Sequence, residues 1–218
     1  MADIPQRNGP EYDTPNILIL QWNIRGLRGN VEYLKDMIHK HRPICVCLQD
    51  CLLEEEHIPK WLTDRYDIST YSRTRQNPRN RYPHSSTLAF IGVDKGFPSQ
   101  EVSMRGNIPA AARKLMIPFP VTIVSAYVDF KVKRNLRNRL HDTFDDLNGP
   151  VIITGDFNGR HDEWSLGPSN QRGKTIWDWA CGSGLTPINT FAPTHLANNG
   201  KESAIDVTFT TSAIIPKL

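Results

Sequence analysis

Eleven residues, Pro150-Val151-Ile152-Ile153-Thr154-Gly155-Asp156-Phe157-Asn158-Gly159-Arg160, restrict the fold more than any other stretch of this chain. Three β-branched aliphatics after a proline make a short strand that is apolar on both faces, so it belongs inside a sheet covered on both sides. Gly155 permits a sharp turn where that strand ends. A carboxylate and an amide, Asp156 and Asn158, then emerge two residues apart and point the same way if the backbone stays extended. Such a pair can hold a water or a phosphate oxygen. The same letters also make an Asx turn, in which both side chains only bond nearby backbone. What favours a site is the company of three other apolar runs with polar residues at or near their ends.

The first of these runs spans 16–23 and turns polar at Asn23, ahead of a glycine-bearing loop over 24–30. From Val31 the apolar period becomes helical, with Val31, Leu34, Met37 or Ile38, and His41 on one face and Pro43 as the stop. The second spans 44–49 and closes on Asp50. Strand, loop, helix and strand in that order imply a parallel or mixed sheet with a right-handed crossover, whose sites gather at strand ends. Asn23 and Asp50 are therefore expected to share a cleft. The third run spans 203–210 and carries Asp206 in its interior. A buried acid must be paired or hydrogen-bonded, or raise its pKa, which suits a site better than a core.

The middle of the chain speaks less clearly. Trp61, Leu62 and Tyr66 suggest a short amphipathic turn, and 72–86 reads as a polar loop carrying Arg73, Arg75, Arg79 and Arg81 among Tyr71 and Tyr82. Arginine among aromatics suits phosphate contact with base stacking, and equally a solvated loop. Segments 87–93 and 116–128 read as strands. A basic amphipathic helix follows, with Val132, Leu136, Leu140, Phe144 and Leu147 as its stripe and Lys131, Lys133, Arg134, Arg137 and Arg139 exposed, a solvated face or a nucleic-acid contact. A short helix begins at Thr175 and ends near Gly182 or Gly184, and 185–190 is a further strand.

At 218 residues, 39% hydrophobic and 22% charged, the chain can bury one full core, expected over 16–218 behind a polar, flexible leader, 1–15, with Pro5, Pro10 and Pro15. No run approaches the roughly 18 apolar residues of a membrane span, and the leader lacks the apolar stretch of a signal peptide. A nuclear or cytoplasmic location, not secretion, is the expectation. Cys45, Cys47, Cys51 and Cys181 form no C-x-x-C and read as small core or near-core residues in a reducing compartment rather than zinc ligands. The net charge of +3 permits an anionic partner without demanding one.

Taken together, Q-W-N-I-R-G at 21–26, C-L-Q-D at 47–50, G-D-F-N at 155–158 and S-A-I-D-V-T at 203–208 resemble the successive motifs of the endonuclease/exonuclease/phosphatase family. G-D-F-N-G-R-H-D-E-W with the later R-G-K-T and P-T-H segments is similar to the apurinic/apyrimidinic-type endonuclease domain of non-LTR, LINE-type retrotransposons. The resemblance spans roughly 16–210. It implies a four-layer, two-sheet α/β sandwich that hydrolyses a phosphodiester with a divalent ion, magnesium or manganese, and nicks DNA to prime reverse transcription.

Carried over by motif, Asp50 would ligate the metal with Asn23, which would also bind phosphate or position the carboxylates. Asp156 and Asn158 would orient and activate water, Tyr127 would lie near the phosphate, and Asp206 would orient a histidine. Arg25, Arg73, Arg75, Arg79, Arg81 and Arg160 are the expected DNA contacts. The sequence departs from the family twice. Asp50 stands where the family has glutamate, so its oxygens fall about 1 Å or more short. No S-D-H occurs within the 218 residues, which implies a C-terminally truncated domain. His161 and His195 are the histidines nearest the motifs. A folded but inactive nucleic-acid binder is the alternative to the enzyme, and other family members cleave other phosphoesters.

Overall fold

The structure, a computed structural model, describes residues 18–75, 84–116, 119–197 and 200–214. The leader 1–15, Arg79, Arg81 and Tyr82 lie outside the described residues.

Two sheets make the molecule. In the first, β1 (Ile19–Asn23) lies parallel to β2 (Cys45–Gln49), which pairs antiparallel with β4 (His84–Asp94), itself antiparallel to the edge strand β3 (Tyr66–Arg75). The second is ordered β5 (Ser99–Val102), β6 (Ala110–Leu115), β7 (Val121–Tyr127), β8 (Val151–Asp156), β12 (Asp206–Thr211) and β9 (Leu185–Pro187). Only β7 and β8 are parallel in it; the short hairpin of β10 (His195–Leu196) and β11 (Glu202–Ser203) stands apart.

Side-chain alternation sorts the layers. Cys45 and Cys47 face Ile123 and Ile152 between the sheets, while Val46 and Leu48 face the other way, against Leu34 and Ile38 of α1 (Leu27–His41). Small thiols fit where two sheets approach within about 10 Å. On the far side, Val151 and Ile153 of β8 pack on Leu140 and Phe144 of α3 (Leu136–Phe144) and on Ile176 and Trp179 of α4 (Gln171–Gly182). Helix, sheet, sheet and helix give the expected four-layer sandwich. No helix among the described residues is long and apolar enough to cross a membrane.

Several elements differ from the sequence reading. α1 starts at Leu27, inside the expected loop, because Leu27 is fully buried and the Asn30 amide donates to the Ile24 and Gly26 carbonyls. The turn at Trp61 is the helix α2 (Lys60–Arg65). Residues 72–75 and 84–86 are not loop but the ends of β3 and β4, paired. The expected strand over 116–128 begins only at Val121, and the basic helix is confined to Leu136–Phe144. α4 starts at Gln171, capped by the Asn170 side chain, which accepts from the Gly173 N–H.

Gly155 does not end its strand. It lies within β8, and a Cβ there would sit 1.9 Å from the Ala126 carbonyl oxygen of β7, so glycine is needed for close approach rather than for turning.

Candidate active site

Strand direction brings the polar ends together. β1 and β2 both finish at one end of the first sheet, with Asn23 and Gln49 in register. In the second sheet β7 and β8 finish side by side with Tyr127 opposite Asp156, and β12 runs the other way, so it begins with Asp206 opposite Asp156. A hydrogen bond joins the two ends: the Asn23 Nδ2 donates to Asp156 Oδ2 at 2.7 Å. Sequence reasoning brought Asn23, Asp156 and Asp206 to one place, and a cleft of about 500 Å³ is lined by all three together with Gln21, Arg25 and His195.

Asp156 is the buried member of the set, 4% exposed. Its Oδ1 accepts from the Asn158 backbone N–H at 2.8 Å, the Asx arrangement, while Oδ2 takes the Asn23 amide. The Asx-turn reading of this motif is realised, and the same carboxylate is tied across the sheets by Asn23. Burial, reinforced by the Asp206 charge, pushes the Asp156 carboxyl up to about 6 against the lowering effect of its two hydrogen bonds. Like charges directly opposite on neighbouring strands are unfavourable for the sheet and suit a site better than a core.

Asn158 departs from the extended geometry. Its backbone is left-handed, φ 52°, and its Nδ2 donates to the Val128 carbonyl at 3.2 Å, so it does not converge with Asp156 as i and i+2 neighbours would. Asp206 is half-buried and opens its strand rather than lying inside it. The Gln21 Nε2 donates to its Oδ1 at 2.9 Å, and Thr194 Oγ1 accepts from the backbone N–H groups of Ile205 and Asp206.

Asp50 and Tyr127 border the cluster beside the cleft. The phenol of Tyr127 is held above its ordinary pKa by burial and then by the charges of Asp50, Asp129 and Asp156, with Arg25 opposing. Three carboxylates therefore surround one phenol. Asp50 has a left-handed backbone, φ 53°, fixed by its N–H to Leu88 O and its carbonyl to Gly26 N–H. The carboxylates of Asp50 and Asp156 and the Asn23 amide oxygen are hard donors of the kind that magnesium or manganese takes.

Arg25 reaches the cleft rim, its backbone N–H on Asn23 Oδ1 at 3.2 Å. Arg160 is not brought to the cleft; its backbone is tied to Asn170. Arg73 and Arg75 lie on the β3 edge, three strands from Asn23 across the sheet but beyond the same end. β3 runs parallel to β2, and Tyr71 is level with Gln49 through Ala89, so 72–75 projects past the site by about 13 Å at roughly 3.3 Å per residue. His161 does not line the cleft; its ring stacks on Trp177 at 5.4 Å and lies tilted against Trp164 at 5.1 Å.

Sequence reasoning missed Asp129, Gln21, Gln49 and Thr194. The Gln21 amide also donates to Gln49 Oε1 at 2.7 Å, and the fully buried Gln49 donates to Ser125 Oγ at 2.8 Å, a chain that crosses between the sheets. The signal was present: Gln21 and Asn23, like Tyr127 and Asp129, share a strand-period face. A second acidic group, Glu54, Glu56 and His57, has ligand atoms within 4.8 Å of one another on a partly exposed turn, where such groups are common without a metal.

Residues 121–217 match the family model described as Endonuclease-reverse transcriptase. In fold the chain is similar to the endonuclease domain of TRAS1, a telomere-specific non-LTR retrotransposon, with a TM-score of 0.60 and 17% identity over 91% of this chain and 86% of that one. It is similar also to a 3'-5' exonuclease, NExo, from Neisseria meningitidis (TM-score 0.66, 14% identity, 91% and 88% covered). The AP endonuclease LMAP from Leishmania major gives a TM-score of 0.61 at 15% identity, with 91% and 80% covered. No curated protein matches the sequence. The four-layer sandwich is the fold these structures share, and the family model matches its C-terminal part, 121–217.

Proposed function

We propose that the chain is a metal-dependent DNA-nicking endonuclease of a non-LTR retrotransposon, cutting the target strand from which reverse transcription is primed. The observation that carries this reading is the buried Asp156, opposed to Asp206 and bonded to Asn23 across the two sheets. In hydrolysis, water adds to the phosphorus of a phosphodiester, its proton passes to a base, and the bond from phosphorus to the leaving sugar oxygen breaks. A carboxylate raised to about 6 is close enough to neutral pH to accept that proton while remaining mostly ionised. Asn23 fixes the carboxylate's orientation, and the Tyr127 phenol, kept protonated, is a donor for a phosphoryl oxygen.

Asp50 with Asn23 would hold a magnesium or manganese ion, which supplies positive charge to neutralise the phosphoryl oxygens. Arg25 at the rim and Arg73 on the projecting β3–β4 arm are suited to phosphates of the bound strand. Conversion of supercoiled plasmid to nicked circle with magnesium, and none in EDTA, is the expected result. Plasmid left supercoiled at every magnesium and manganese concentration contradicts it.

A non-catalytic reading is favoured by one observation, Asp50 in the place of the longer glutamate. It predicts salt-sensitive DNA binding without nicking.

A further inference from the structure

His195 stands in the cleft with its chemistry already decided by a neighbour. Its Nδ1 lies 3.1 Å from a terminal nitrogen of the Arg25 guanidinium, and both residues line the same cleft as Asn23 and Asp156. A guanidinium only donates, so the shared hydrogen belongs to Arg25 and Nδ1 must accept. The imidazole's own proton is then on Nε2. A doubly protonated ring would set N–H against N–H, so the neutral form is the one this contact selects.

The backbone under the ring is fixed as well. His195 pairs with Ser203 in the β10–β11 hairpin, and the preceding Thr194 is tied to Ser203, Ile205 and Asp206. Arg25 is anchored in turn through its N–H to Asn23. The rim of an acid-floored cleft thus carries one permanent cation and one fixed neutral donor side by side.

We infer that Arg25 and His195 form a two-part grip on a non-bridging oxygen of the substrate phosphodiester, with His195 giving a neutral Nε2–H hydrogen bond rather than shuttling a proton. This deepens the endonuclease reading and rests on it for the identity of the substrate.

Two conservative variants separate the two ring nitrogens. In H195N the amide reaches the position of Nδ1, keeping the Arg25 contact and losing the outward donor; in H195Q the amide reaches the position of Nε2 and restores it. Affinity for a fluorescently labelled DNA duplex, read by anisotropy in EDTA and low salt, is expected to fall about tenfold in H195N, as for one hydrogen bond to a charged group, and to stay within about twofold in H195Q. Unchanged affinity in H195N, or equal losses in both variants, overturns the inference.

Nitrogen-15 NMR of the unmodified protein gives a check that needs no variant. The expected spectrum shows His195 protonated at Nε2, with that resonance moving on addition of the duplex; an Nδ1-protonated ring, or an Nε2 signal indifferent to DNA, overturns it. Nicking with magnesium is scored separately. If the wild type binds with this pattern and never nicks, the endonuclease reading fails and the grip stands. A wild type that nicks while H195N binds as tightly as it does has the reverse meaning.

Discussion

Asp156 and Asp206 sit directly opposite one another on adjacent antiparallel strands, two carboxylates where a sheet alone would place none. Each is held by an amide from the other sheet, Asp156 by Asn23 and Asp206 by Gln21. The site is therefore built from the seam of the sandwich, and its geometry depends on both sheets at once.

The strain of that arrangement is readable as pH-dependent stability. Asp156 has an ordinary carboxylate value of 3.8 when unfolded and about 6 when folded, so the native state binds the extra proton between these values. Its effect is most favourable below the unfolded value and declines as pH rises to about 6, by about 3 kcal/mol at most. In metal-free protein, denaturant titrations from pH 4 to 7 are expected to show this decline in the wild type and a flatter profile in Asp156→Ala. Identical profiles would mean that the carboxyl is not perturbed.

Position 50 tests the proposed metal half of the site. If the short aspartate holds the ion at a distance, Asp50→Glu restores the missing reach and is expected to raise nicking about tenfold or lower the magnesium needed for half-maximal rate by a similar factor. Asp50→Ala is expected to raise the magnesium requirement. Equal magnesium dependence in all three proteins would remove Asp50 from the metal site.

Buried amides make the support of Asp206 measurable. Ser125→Ala leaves the Gln49 Nε2 without its partner in a fully buried position, costing about 1–3 kcal/mol of stability. Because Gln49 also receives the Gln21 amide, nicking is expected to fall more than DNA affinity does. A variant as stable as the wild type would show that the chain of amides is not coupled.

The projecting β3–β4 arm predicts a salt effect. Arg73→Ala is expected to weaken DNA binding with little dependence on sequence and to reduce the slope of log affinity against log salt by about 1. An unchanged slope would place the arm away from the bound strand.

Much of this arrangement is legible in the order of the amino acids. Val151 to Ile153 announce a buried strand, and the tips Asn23, Asp156 and Asp206 stand out because a polar side chain closing an apolar run is anomalous in a core. What escapes reading does so for local reasons. Ala110 to Leu115 carries three alanines and two cations, no strand-like alternation, and is a strand because it lies between two neighbours, with Arg113 buried on Ser99, Ile68 and Ser69. Gly173 looks like a helix breaker, yet it is where α4 meets the Arg160 carbonyl, so closely that a Cβ would sit 1.9 Å from that oxygen. His195 looks like a loop histidine because its partner, Arg25, is 170 residues away.

The hydrogen bond between Asn23 and Asp156 is the most direct point of attack on the whole account. Single-turnover nicking rates of Asn23→Ala, Asp156→Ala and the double variant decide whether the two act as one unit. The expectation is a loss of about 100-fold or more in each single variant and a double variant no slower than the worse of the two. Losses that multiply, or an Asp156→Ala protein that nicks at the wild-type rate, would contradict a site formed where the two sheets meet.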